Sequence, residues 1–239
     1  DGTGGRRRPH RCARTGALLI QQVCNRLRHG GPNLPTRTPV VQGEGSEYDA
    51  MTAVGDLVTD HLRTEIQGDI AHIVLARPER LNALTLPMLA AIEQACGAIA
   101  ESNARTVVIS GDGRSFCAGM DLEAFRSGPL LAADPERRYD AASLGRSAME
   151  AIAGLPQVTV AALHGHVVGG GVVIAASCDF AVADWSATLS IPEIDVGIPL
   201  AWGGIERLVA AVGPMRAKEL VMTGRRFTAE EAASWGLVT

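Results

Sequence analysis

Lysine is nearly missing from this sequence: Lys218 stands alone against 21 arginines among 239 residues. Schiff-base chemistry and a Walker-type Gly-Lys-Ser/Thr phosphate loop therefore have almost no candidates. Aromatic residues make up only 4%, and beyond residue 50 no basic stripe interleaved with aromatics is visible, which argues against a nucleic-acid partner. The five cysteines (Cys12, Cys24, Cys96, Cys117, Cys178) are odd in number, scattered and free of any CxxC pair. Neither a secreted disulfide framework nor a zinc ribbon fits that pattern, and a reducing cytoplasm does. A membrane-spanning run is lacking too. The one long apolar stretch, Val158 to Ala176, carries His164, His166 and four glycines and is bracketed by Pro156 and Asp179. A bilayer span needs about 20 residues of sustained apolarity, so this stretch reads as a buried strand running into a buried helix.

What is present is ample apolar material, 46% of the chain, enough for one or two domains without a metal or disulfide staple. Charge is divided unevenly. The first 50 residues hold eight Arg against four acids, so the remainder, with 14 basic against 22 acidic residues, is acidic at about −8. Residues 1–55 are rich in Arg, Gly and Pro with no sustained apolar period, and are expected to be a disordered or non-native extension, with Met51 as the natural start. The Arg cluster is followed only by Ala17, Leu18, Leu19 and Ile20 as a hydrophobic stretch, too little for a secretory signal. A mitochondrial leader would be acid-poor and amphipathic, whereas this stretch repeats Gly and Pro and ends in Glu44, Glu47 and Asp49. Cytoplasm is thus the expected compartment, with the mitochondrial matrix as the alternative.

From His61 the pattern becomes regular. Leu62 to Gln67 and Ile70 to Ala76 alternate around Gly68 and Asp69, a hairpin signal. Leu89, Ile92, Cys96 and Ile99 recur at helical spacing behind Pro87, and Thr106 to Ser110 is a short β-branched strand ending at Gly111, Asp112 and Gly113. A second cycle gives a helix around Ala141 to Ala153, a strand Val158 to Leu163, a helix opened by Gly169, Gly170 and Gly171, and a strand Phe180 to Ala183. After the loop around Pro192, Ile205, Leu208, Val209 and Val212 mark one helix, Pro214 begins another, and Thr228 caps a third reaching Trp235. Alternating strands and helices indicate an α/β chain.

Two strand-to-loop junctions present small residues, Ser115 to Asp121 (SFCAGMD) and Gly165 to Gly171 (GHVVGGG). Glycine lets main-chain amides approach a ligand, and an amide at a helix N-terminus is an unpaired donor aided by the helix dipole. Two such amides converging make an oxyanion hole for an attacked or enolised carbonyl. The plain alternative is that the triple glycine merely allows close helix-on-sheet packing. A dinucleotide fingerprint is not matched, since the order is G-x-x-x-G-G-G rather than G-x-G-x-x-G. His164 and His166 with Cys178 read poorly as a metal set, because residues i and i+2 on a strand point to opposite faces. Cys117 with His164 as base is a conceivable thiol nucleophile, and a small buried cysteine is the commoner meaning.

With Arg77, Pro78, Asn82 and Ala83 (RPxxxNA), Phe116 to Leu122 (FCAGMDL), Gly165 to Asp179 (G-x-x-x-GGG, then CD) and Pro192 to Gly197 (PEIDVG) in one order, the chain resembles the crotonase, or enoyl-CoA hydratase/isomerase, superfamily over about residues 62–239. The resemblance implies a spiral of repeated ββα units over residues 56–239, with the amides of Ala118 and Gly170 as the oxyanion hole for a CoA thioester. It puts Gly119, Met120 and Asp121 along the thioester and pantetheine, and Arg80, Leu81 and Ala83 near the CoA nucleotide. Asp121 reads more readily as a helix cap than as a catalytic acid.

The resemblance also implies that hydratases of this kind use two glutamates to orient and deprotonate water. Here the first position is Val173 and only the second, Glu193, is a carboxylate. One carboxylate facing an enolate suffices to shift a proton from C2 to C4, which is Δ3,Δ2-enoyl-CoA isomerisation in fatty acid degradation. Hydration of a 2-enoyl-CoA is the alternative, and a non-catalytic acyl-CoA-binding chain a third. For base chemistry Glu193 should sit in an apolar pocket lined by Ile191, Ile194, Leu200 and Trp202, with Val173 and Trp202 bounding the acyl group. Asp195 is expected to be structural, and Glu206 to lie on the polar side of its helix. No metal, flavin or nicotinamide is implied, CoA being part of the substrate. The family continues past the GLV at Gly236 to Val238 with further helices that close the pocket and pack a trimer or hexamer, so a chain lacking them is expected to have an incomplete helical region and a doubtful oligomer.

Overall fold

A computed structural model of the chain describes residues 61–131 and 134–239; the expectations for residues 1–55 and for Met51 lie outside them. Strands β1 (Leu62–Gln67) and β2 (Ile70–Leu75) form the expected hairpin, turning at Gly68, which has a φ of 63°. Glycine suits that turn because a left-handed residue with a Cβ is strained. Helix α1 (Leu86–Ala100) follows, its start fixed by the Thr85 side chain accepting from the Met88 amide and by Pro87 in the first turn. Its Leu89, Ile92, Cys96 and Ile99 are all buried, so the helical period does point one stripe into the core.

Next come β3 (Thr106–Gly111), buried along its whole length, and the short helix α2 (Leu122–Ser127). Helix α3 (Pro135–Ala153) starts six residues before the expected Ala141. Asp134 caps it and its first half is polar, which hides the helix from a hydrophobic-period reading. Then β4 (Val158–Leu163) and a three-residue β5 (His166–Val168) lead into α4 (Gly170–Ser177), whose residues are buried on nearly every side. Strands β6 (Phe180–Ala183) and β7 (Thr188–Ser190) precede a 3-10 turn at Pro192–Val196. Helix α5 (Gly204–Thr223) is broken at Gly213, where φ is 77° just before Pro214, matching the two expected helices. The described chain closes with β8 (Phe227–Thr228) and α6 (Ala229–Ser234), the latter opened by a capping box between Thr228 and Glu231.

The strands form a five-stranded sheet in the order β1-β2-β3-β4-β6, antiparallel only at the β1–β2 pair, and a three-stranded sheet in the order β5-β7-β8. One face of the large sheet carries Ile73, Leu75, Val107, Ile109, Ala161 and Leu163 into a core shared with α1, α3 and α4. The other buries the smaller set Val108, Val160 and Val182. Strand pairs passing from one sheet to the other, β4 to β5 and β6 to β7, each followed by a helix, give the spiral of ββα units expected of the α/β chain. Among the described residues no helix is long and apolar enough to cross a membrane.

Candidate active site

The RPERLNA turn and the FCAGMDL segment are tied into one platform by buried polar bonds. Asn82, fully buried at a left-handed φ of 56°, accepts from the Arg77 amide at 2.9 Å and donates to the carbonyls of Asp112 and Ser115, each at 2.8 Å. Asparagine tolerates that backbone better than most residues, and its amide satisfies three buried main-chain groups at once. Arg77 donates from Nη1 to the Ala83 carbonyl at 3.1 Å and to Asp121 Oδ2 at 2.6 Å. Asp121 Oδ1 caps α2 by accepting from the amides of Glu123 and Ala124. Burial pushes the Asp121 carboxyl up, but the Ala124 amide and the Arg77 guanidinium outweigh it and hold it below its ordinary range. The carboxylate is fully engaged and is a strut of the fold, as its capping position suggested.

Alongside this platform runs the β5-to-α4 junction. Cys117 and Val167 form a parallel bridge, and the Val168 amide donates to the Cys117 carbonyl at 2.9 Å. Gly119, at a φ of 87°, lies so close to the Val168 carbonyl that an added Cβ would stand 3.1 Å from it. Met120 follows Cys117 by three residues as Gly170 follows Val167, so the register carries these two toward the same end of the paired segments.

The amides sort themselves by what they already bind. The Ala118 amide donates to the Leu81 carbonyl at 2.9 Å, and the Gly119 amide to Cys117 Sγ at 3.4 Å. Ala118 is therefore corrected as an oxyanion donor: its N–H holds the two loops together. Leu84, bridged to Met120, uses its amide on the Gly119 carbonyl and its carbonyl on the Asp121 amide, which leaves the Met120 N–H as the donor of this segment without an acceptor. Gly170 opens α4, where no intrahelical acceptor exists for its N–H, while Gly169 donates to the Ser190 carbonyl at 2.9 Å. Nothing in the residue pattern distinguishes position 118 from 120. Only the pairing of Leu81 with Ala118 does.

Glu193 lies in the 3-10 turn after β7, and its carboxylate presses on the Cα of Gly169, where any side chain would overlap Oε1. Glu193 Oε2 is buried and meets no hydrogen-bond partner. Burial raises the carboxyl above its ordinary value, with its own backbone amide opposing. Ile191 and Leu200 are buried nearby, but Ile194 is 53% exposed and is corrected as a lining residue, because the 3-10 turn points it toward Gly224 on the outer surface. Val173 is buried with Cγ2 against Gly204, a wall behind the glycines. The Trp202 benzo ring rests on Gly170, where an added Cβ would stand 2.6 Å from Cζ3, and its pyrrole ring lies against Gly145 of α3. Gly145 and Arg207, which donates to the Trp202 and Gly203 carbonyls, escaped the sequence reading; a lone glycine inside a helix was the available signal.

The remaining candidates separate from this centre. Arg80 is half exposed and paired with Glu123 at 2.9 Å, on the outer side of the turn that holds Leu81 and Ala83. His164 Nε2 meets the Gly113 carbonyl at 3.1 Å. The Cys117 thiol is pushed up to about 12 by complete burial, which keeps it protonated and unreactive. Among the described residues no group of three His, Cys, Asp or Glu side chains is placed to hold a metal ion.

Residues 65–239 match the family model described as enoyl-CoA hydratase/isomerase. The chain is 33% identical over 181 residues to a crotonyl-CoA hydratase of Syntrophomonas wolfei, covering 75% of this chain and 68% of that protein. It is 31% identical over 186 residues to the peroxisomal Delta(3,5)-Delta(2,4)-dienoyl-CoA isomerase of Arabidopsis thaliana, covering 74% and 67%. A crystal structure of an enoyl-CoA hydratase/carnithine racemase from Magnetospirillum magneticum superposes with a TM-score of 0.71 at 31% identity, over 76% of this chain and 67% of that one. With the fold, the paired loops and the motifs in agreement over that span, the chain belongs to the enoyl-CoA hydratase/isomerase, or crotonase, family.

Proposed function

We propose that this protein isomerises 3-enoyl-CoA thioesters to their 2-enoyl forms, with Glu193 as the only acid-base group. The observation that carries the reading is the buried, unpartnered Oε2 of Glu193 set against the first glycine of the triple, in a chain whose residue 173 is a valine rather than a second acid. The thioester oxygen accepts from the free amides of Met120 and Gly170. As Glu193 takes a proton from C2, the electron pair moves into the carbonyl and the oxygen becomes an enolate. Both amides and the N-terminal end of the α4 dipole stabilise that charge as it develops. Glu193 then returns the proton to C4, the C3–C4 double bond moves to C2–C3, and the carboxylate is regenerated. A raised carboxyl suits this shuttle, because its affinity for the proton lies nearer that of the carbon acid. The RPERLNA turn and Gly119 to Asp121 supply the surface along which CoA and pantetheine lie.

Hydration of a 2-enoyl-CoA is the second reading, supported by relatives that carry the name hydratase. It requires a second group to hold the attacking water. Val173 cannot do so, and Asp121 is committed to Arg77 and to the α2 cap. Separate assays on a 3-enoyl-CoA and a 2-enoyl-CoA decide between the readings. Isomerisation by the full chain, lost in Glu193→Gln, supports the proposal; hydration without isomerisation overturns it.

A further inference from the structure

We infer that Trp202 fixes the length of acyl group this site accepts, its indole standing as a stop that restricts the enzyme to short-chain enoyl thioesters. The inference rests on the reading that Gly170 receives the thioester oxygen, and it names the substrate class within it. Three observations meet at the indole. Its benzo edge lies on Gly170, with Cζ3 and Cη2 placed 2.6 and 3.3 Å from where a Cβ would be, and Leu84 Cδ1 closes the other side at 3.0 Å. Its pyrrole edge lies on Gly145, where any side chain would overlap Nε1, Cε2 and Cδ1. Glycine is disfavoured inside a helix, and here its lack of a side chain is what admits the ring.

The backbone is held as firmly as the ring. Trp202 sits at a φ of 62°, a region that residues with a Cβ seldom occupy. Arg207 fixes that turn, donating through Nη1 to the carbonyls of Trp202 and Gly203 and through Nη2 to the Met149 carbonyl on α3. A strained aromatic residue held from both sides next to a reactive group is the kind of outlier that marks a functional constraint.

The position of the ring relative to Glu193 supplies the consequence. The carboxylate touches Gly169 and the indole touches Gly170, and neighbouring Cα atoms are about 3.8 Å apart. C2 and C4 must stay within reach of the carboxylate, so the carbons beyond C4 come next to the ring. The indole fills the gap between α3 and the start of α4 through which a longer chain would continue. Because Trp202 is only part buried, shortening it opens that gap without emptying the core.

The test is calorimetric binding of saturated butyryl-, octanoyl- and dodecanoyl-CoA to the full chain and to its Trp202→Ala variant. Each methylene newly buried is expected to tighten binding about fourfold. The octanoyl-to-butyryl affinity ratio should therefore rise at least tenfold in Trp202→Ala, whereas the wild-type protein gains nothing beyond the short chain. A ratio unchanged within twofold in the folded variant, or a wild-type protein that binds dodecanoyl-CoA best, overturns the inference. Should Trp202→Ala fail to fold, Trp202→Phe gives the same readout: a smaller shift in the same direction supports the stop, and no shift overturns it. A wild-type protein that binds none of the three CoA esters removes the acyl-CoA reading itself. One that binds them with a profile indifferent to Trp202 removes only the stop.

Discussion

The two halves of the candidate site are built in opposite ways. On the platform formed by residues 77–84 and 116–121, each polar side chain described above has a partner: Asn82 holds three main-chain groups, and Arg77 and Asp121 hold each other, a carbonyl and a helix end. In the segment from Pro192 to Gly204, Glu193 keeps a buried oxygen without a partner, Ile194 and Val196 face solvent, and Gly197, Trp202 and Gly203 are all left-handed. The first half must present amides at a fixed position, so it is rigidified by satisfied hydrogen bonds. The second must keep a carboxylate poorly solvated, and a partner for Oε2 would stabilise the charged form and lower its proton affinity. An unmet side-chain hydrogen bond is thus kept where the proton moves.

The contrast breaks most visibly at Glu193. Glu193→Gln should lower the isomerisation kcat by about 10²- to 10⁴-fold while leaving the circular dichroism spectrum unchanged; retained turnover would mean that another group is the base. Because burial raises this carboxyl above its ordinary 4.5, the acid limb of kcat/KM should lie above that value. The stability consequence has a definite sign. The folded chain keeps a proton that the unfolded chain releases, so stability falls as pH rises from 4.5 through the raised value, and Glu193→Gln should remove that slope.

Next in size is the choice between Met120 and Ala118 as amide donor. Replacing the peptide N–H by an ester oxygen at Met120, through semisynthesis, should lower kcat about 10²- to 10³-fold with little change in stability. The same exchange at Ala118 deletes the bond to Leu81 and should cost about 1 kcal/mol in urea unfolding. Reversed outcomes would restore Ala118 to the oxyanion hole.

Asn82→Ala tests the rigidity of the platform. It strips partners from three main-chain groups and puts a Cβ-only side chain at a left-handed residue, so about 2–4 kcal/mol of stability should be lost. A midpoint unchanged in urea would show that these bonds do not stiffen the site. The smallest effect belongs to a region remote from both halves: Thr228→Ala removes one side of the α6 capping box and should cost about 1 kcal/mol, with kcat unaltered.

Much of this architecture was legible beforehand, because its signals are local. The β1–β2 hairpin, α1, β3, β4 and the break before Pro214 follow from period, turn residues and caps, and all lie where those features put them. Strands β5 and β7, three residues each, are too short to show a period and are defined by tertiary pairing, with each other and, for β7, with β8. The polar first half of α3 was missed for the same reason in reverse: its Asp134 cap and Pro135 are local signals, but the apolar stripe begins only at Ala141. At the site, Glu193 and Gly170 stood out by residue type and setting. Ala118 did not survive, since which amide of a run is free depends on where the neighbouring carbonyl of Leu81 comes to rest.

Composition and order alone were enough to name the chemistry available here: one carboxylate, glycines that bare their amides, a valine where a second acid would be needed, and scarcely a lysine. These follow from residue identity, which folding does not alter. Which N–H is unpaired, which oxygen of Glu193 is dry, and that an indole lies across Gly145 and Gly170 were decided by the tertiary structure. Hydrogen-bond satisfaction and desolvation are properties of a group's neighbours, and those neighbours come from segments far apart in the sequence, as in the bond from Arg207 to Met149, 58 residues away.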